Sequence, residues 1–185
     1  LSEKQIADLI KNLFIDNDLC SIISKKTGFK YSIDFIISYK TFHIPLSKSD
    51  AEVYANKWHY DKPFSENTLK MIIPLNDIEI NGGGIEILNI HDTKLQKKNT
   101  PNISPDKVFK MINKVGKILL FLPNQCYHKA GIPKKGVYRE QIMLQLNPAK
   151  EWLLNNTIQK KQHKIEPKFP VFNFFFDKKS RLQKF

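Results

Sequence analysis

His59 and Asp61 stand two apart in Val53 to Asp61, a stretch whose alternation reads as a strand. Residues i and i+2 of a strand point to the same face, so an imidazole and a carboxylate would be presented side by side. That is two-thirds of a facial metal triad. Two histidines and one carboxylate, with further positions left open, is the ligand set of non-haem Fe(II) oxygenases. The third ligand has to come from elsewhere in the chain, and the plainer alternative is a hydrogen-bonded pair at a strand end.

The partners lie far downstream, at His128 and Arg139. Apolar runs predict strands over Ile118 to Leu122, Tyr127 to Ile132 and Tyr138 to Leu146, the last alternating at Ile142, Leu144 and Leu146. Pro133-Lys134-Lys135-Gly136 has the composition of a tight turn between the last two. With Lys134 and Lys135 at its centre, His128 faces Gln141, Arg139 faces Ala130, and Arg139 shares the face of His128. A guanidinium beside a metal ligand suits an anionic co-substrate, because it grips a carboxylate with two parallel hydrogen bonds.

On Trp58-His59-Tyr60-Asp61, the Leu69 to Leu75 run with Asn81-Gly82-Gly83 after it, and His128 upstream of Arg139, positions 40 to 148 resemble the Fe(II)/2-oxoglutarate-dependent dioxygenases, in particular their phytanoyl-CoA dioxygenase-like branch. The resemblance implies a double-stranded β-helix, a jelly-roll barrel of cupin type. It implies that His59, Asp61 and His128 hold Fe(II) and that Arg139 binds the distal carboxylate of 2-oxoglutarate. The reaction it implies uses O2, releases succinate and CO2, and hydroxylates a substrate C–H. Halogenases of this superfamily carry a small residue where this chain has Asp61, so hydroxylation rather than halogenation is expected. Lys70 shares the parity of Ile72 and would point inward, where a lysine is costly unless paired with an anion. It is therefore a second candidate contact for the co-substrate.

Around these positions the sequence predicts one domain with an all-β-dominated α+β fold: a helical buttress over 1–30, a barrel core over 31–148 and an aromatic-rich extension over 149–185. Ser2 to Phe14 reads as a helix capped by Ser2, and Asp18 to Lys26 as a second one ended by Gly28. Tyr31 to Pro45 reads as one or two strands and Gly84 to Ile90 as another, with His91 and Asp92 on opposite faces at its end. His43, with no ligand-type partner two residues on, reads as structural, and Cys126 as a small core residue that could instead border the metal. Lys150 to Lys161 reads as a polar helix or linker. The phenylalanines of Pro167 to Phe176 are expected to fold back over the sheet.

Two cysteines, Cys20 and Cys126, fit no disulfide framework or zinc spacing, so a reducing, cytoplasmic compartment is expected, with no signal peptide and no membrane span. The net charge of +12 invites a nucleic-acid partner, yet only Arg139 and Arg181 are arginine and the lysines are scattered. A small or medium-sized organic substrate is the expected partner. Two other classes stay open: a non-catalytic cupin-type barrel, which has no need of Arg139, and an oxygenase acting on nucleic acid or a protein side chain, which charge alone favours.

Overall fold

The computed structural model describes residues 2–45, 54–61, 65–96 and 103–154. In chain order it contains α1 (Glu3–Ile10), a π-helical turn (Lys11–Asp16), α2 (Leu19–Thr27), β1 (Lys30–Phe42), a 3-10 turn (Tyr54–Asn56), β2 (Leu69–Pro74), β3 (Glu86–Leu88) and α3 (Ile90–Lys94). A second 3-10 turn (Pro105–Lys107), β4 (Val108–Lys110), β5 (Leu119–Phe121), β6 (His128–Lys129) and β7 (Tyr138–Ala149) follow. The strands make two antiparallel sheets, a large one in the order β1-β7-β2-β5 and a small one in the order β4-β3-β6. His59 bridges His128, which adds its segment to the β6 edge of the small sheet.

Strand alternation decides what each face of the large sheet meets. Ile142, Leu144 and Leu146 of β7, Met71 and Ile73 of β2 and Ile33 of β1 pack against Ile10, Phe14 and Ile23 of the N-terminal helices. The opposite parity puts Ile72, Phe121 and Met143 against Ile78, Ile85, Ile87, Met111 and Cys126 on the side of the small sheet. Buried on both faces, β2 reads in sequence as an almost unbroken apolar run; its one polar residue is Lys70. The helices are set locally. Ser2 and Gln5 form a reciprocal capping box at the start of α1, and Gly28, at φ 78°, ends α2 in the left-handed conformation that glycine adopts without strain. Trp152 closes this layer between Phe14 and Tyr31, its indole N–H donating to Ser24 at 3.1 Å.

Four expectations are corrected. The helix over Ser2 to Phe14 leaves α-geometry at Lys11, where a π-turn carries Phe14 into the core. Val53 to Asp61 is not a continuous strand: Tyr54–Asn56 is a 3-10 turn, and among the segment's described residues only His59 makes a ladder bridge. The strand expected over Gly84 to Ile90 is Glu86–Leu88, and His91 and Asp92 belong to α3, which Asn89 caps by accepting from the Asp92 N–H at 2.8 Å.

The fourth correction is the expected hairpin. A turn does lie there, with Lys134 O accepting from Val137 N at 3.0 Å, but its centre is Lys135-Gly136 and it connects strands of different sheets. His128 is opposite Ile87 and Arg139 is opposite Thr41. A two-residue β6 cannot compete for β7 with the thirteen residues of β1. The Phe-rich stretch Pro167 to Phe176, and all but the first residues of the predicted helix or linker over Lys150 to Lys161, lie outside the described residues. Among the described residues no helix is long and apolar enough to cross a membrane.

Candidate metal centre

His59 and His128 form a directly opposed pair: His59 N donates to His128 O and His128 N to His59 O, both at 3.0 Å. Their side chains therefore leave the same face, with ring centroids 4.4 Å apart. Asp61 lies two residues on and is anchored by its N–H to Pro123 O at 3.1 Å. Its Oδ1 is 3.7 Å from His59 Nε2 and 3.5 Å from His128 Nε2. One ligand atom from each of the three residues falls within 4.8 Å of the others, the single grouping of this kind among the described residues.

The backbone prepares the imidazoles for this role. Lys57 O accepts from His59 Nδ1 at 2.7 Å and Cys126 O from His128 Nδ1 at 2.9 Å, which fixes Nε2 as the lone-pair atom of both rings. His128 Nε2 is buried and has no hydrogen-bond partner, a costly state for a polar atom unless something else fills it. Burial and the neighbouring His128 push the His59 pKa down to about 4, so that ring is neutral at physiological pH. Burial alone would raise the Asp61 carboxyl, but the adjacent His128 and the Lys70 ammonium outweigh it and hold Asp61 well below the usual carboxylate range. A neutral His59 imidazole and an ionised Asp61 carboxylate, with His128 Nε2 beside them, are the kind of donors a divalent metal takes.

Lys70, suggested by the sequence as a co-substrate contact, has its Nζ 2.5 Å from Asp61 Oδ2. Cys126 belongs to the core beside the centre, where its carbonyl, not its thiol, serves His128. His43 is hydrogen-bonded to Pro133 O at 3.0 Å, and Asp92 pairs with Lys107 at 2.8 Å, so neither joins the cluster.

Arg139 reaches the strand of His128 by another route than the expected hairpin. Its Nη1 donates to Gly131 O at 3.2 Å and its Nη2 lies 3.5 Å from Thr41 Oγ1. The side chain is 1% exposed, its Nε has no partner, and no carboxylate pairs with it among the described residues. Burial lowers its pKa, partly opposed by the nearby Tyr39, whose own phenol burial pushes up. Tyr39, Thr41 and Gln141, with Gln141 Nε2 donating to Tyr39 Oη at 2.5 Å, were not singled out from sequence. The signal for them is cross-strand pairing of β1 with β7, Thr41 opposite Arg139 and Tyr39 opposite Gln141, which the sequence does not print.

No family model and no curated protein matches the chain. Solved structures do. The non-haem alpha-ketoglutarate-dependent epimerase SnoN from nogalamycin biosynthesis superposes with a TM-score of 0.55 at 16% identity, over 80% of this chain and 60% of that one. The apo form of the non-haem monooxygenase ThoJ superposes with a TM-score of 0.52 at 10% identity, over 70% of this chain and 51% of that one. The chain thus spans between about half and three-fifths of each enzyme. What this chain shares with the epimerase and the monooxygenase is their fold.

Proposed function

We propose that the chain is a non-haem Fe(II) and 2-oxoglutarate-dependent dioxygenase, built as a double-stranded β-helix, that hydroxylates a small or medium-sized organic substrate. The observation that carries this reading is a preformed His59–Asp61–His128 cluster in the same fold as a buried Arg139 that lacks a carboxylate partner among the described residues. A bare metal-binding barrel has no use for that guanidinium. Burial of an unpaired cation is costly, and a dicarboxylate that also ligates the metal would relieve it.

His59 Nε2, Asp61 Oδ1 and His128 Nε2 would hold the iron, and the orphaned lone pair of His128 is the atom that best fits the role. When bound, Fe(II) supplies the redox chemistry that joins O2 to 2-oxoglutarate, giving succinate, CO2 and one oxygen atom for the substrate C–H. The protein's part is orientation and exclusion. Arg139 offers its free Nε–H and remaining Nη–H groups to the distal carboxylate, with Thr41 and the Gly131 carbonyl fixing the fork. Phe121 packs edge-on against His128 at 5.1 Å and limits rotation of that ligand. His128 is 2% exposed, and the side chains of His59 and Asp61 are 11% and 26% exposed.

Anaerobic addition of Fe(II) and 2-oxoglutarate should produce the visible metal-to-ligand charge-transfer band of such complexes, and His128→Ala should abolish it while leaving the circular dichroism unchanged. A band of equal intensity in the folded His128→Ala protein would remove the triad from the reading.

A further inference from the structure

The two oxygens of Asp61 have different surroundings. Oδ1 faces the Nε2 atoms of both histidines, at 3.7 and 3.5 Å, while Oδ2 lies 2.5 Å from Lys70 Nζ. Lys70 leaves β2 between Leu69 and Met71, which are 6% and 0% exposed, and its own side chain is 11% exposed. Across the ladder it is paired with Phe121, the residue that packs on His128. The ammonium thus belongs to the sheet scaffold and meets the carboxylate on the oxygen that does not face the imidazoles.

A carboxylate can ligate a metal through one oxygen or chelate it through both. In a facial triad the difference matters, because chelation by Asp61 would occupy a position that a 2-oxo acid and O2 need. We propose that Lys70 is a positioning residue that holds Asp61 as a one-oxygen ligand and so keeps a coordination position open for the co-substrate. The contact is charge-assisted and short, and an interior lysine needs the anion as much as the carboxylate needs the restraint. This rests on the metal-centre reading above, and differs from a direct contact between Lys70 and 2-oxoglutarate.

The test uses the full chain loaded with Co(II), as wild type, Lys70→Met and Lys70→Arg. Two quantities are read: the d–d absorption before co-substrate is added, and the affinity for 2-oxoglutarate by calorimetry. Lys70→Met is expected to bind Co(II), to show a shifted starting spectrum, and to bind 2-oxoglutarate about 10–100-fold more weakly, the usual consequence of losing a partner that orients a metal ligand. Lys70→Arg should restore most of both. An unchanged starting spectrum with weakened affinity would assign Lys70 to the co-substrate itself and overturn the proposal, as would no change in either quantity. If Lys70→Met is unfolded by circular dichroism, Lys70→Gln is judged by the same criteria. If His128→Ala leaves the wild-type Co(II) spectrum intact, the metal-centre reading fails and takes this proposal with it, an outcome distinct from a Lys70 variant that behaves as wild type.

Discussion

Arg139 is held where a cation is least at home, and that sets up a trade between stability and binding. Replacing it by Met removes a buried charge that no carboxylate among the described residues neutralises, so the ligand-free protein should gain about 1–4 kcal/mol in urea unfolding. The same substitution should weaken 2-oxoglutarate by about 2–5 kcal/mol in calorimetry of the metal-loaded protein, and Arg139→Lys should recover only part because an ammonium lacks the fork. His59 gives a second consequence. Its folded pKa of about 4 lies below the roughly 6.5 of an unfolded histidine, so between those values the unfolded chain binds more protons and stability rises with pH. The contribution, about 3 kcal/mol, is fully present above pH 6.5 and is lost as pH falls toward 4, with Asp61 extending the loss at still lower pH. Chemical denaturation of the metal-free protein across that range should show the slope, and His59→Asn should flatten it.

Between elements, the contact that ties Arg139 to the segment after His128 is made by backbone. Gly131 donates its N–H to Gly84 O at 3.2 Å and gives its own carbonyl to Arg139, and a Cβ there would run into the Gly84 carbonyl. Gly131→Ala should therefore destabilise the fold by about 1–3 kcal/mol and also weaken 2-oxoglutarate binding, read by thermal unfolding and calorimetry on the same sample. Neither effect is visible in a string of residues. The grouping of His59, Asp61 and His128 was legible because metal ligation allows few residue types, and β2, β5 and β7 because burial writes apolar runs; the carboxylate-binding role of Arg139 is a proposal. The pairing of β7 was not legible: Pro133 to Gly136 announces a turn but not the strand that its exit will meet. Lys70 was legible as an interior cation, whereas its partner depends on β2 passing behind Asp61, a tertiary fact.

For the whole molecule, the net charge of +12 predicts weak and strongly salt-dependent attraction to polyanions rather than recognition. At about 150 mM salt, binding to single-stranded and duplex oligonucleotides should be no tighter than micromolar, and oligonucleotides should not stimulate succinate release. Submicromolar binding with stimulation would replace the small-molecule substrate by a nucleic acid. The pairing of β1 with β7 reaches furthest. Among the described residues, 30–42 find their ladder partners in 138–149, with one further bridge from Ser32 to Leu153, about a hundred residues later, so the longest described strand lacks these neighbours while the chain emerges from the ribosome. Loop closure of that span has to precede any reward, which makes folding slow and leaves a long strand edge open to other nascent chains. Slower synthesis at low temperature should raise the soluble yield, and refolding from urea should show β1 acquiring amide protection in the same phase as β7 and after the N-terminal helices.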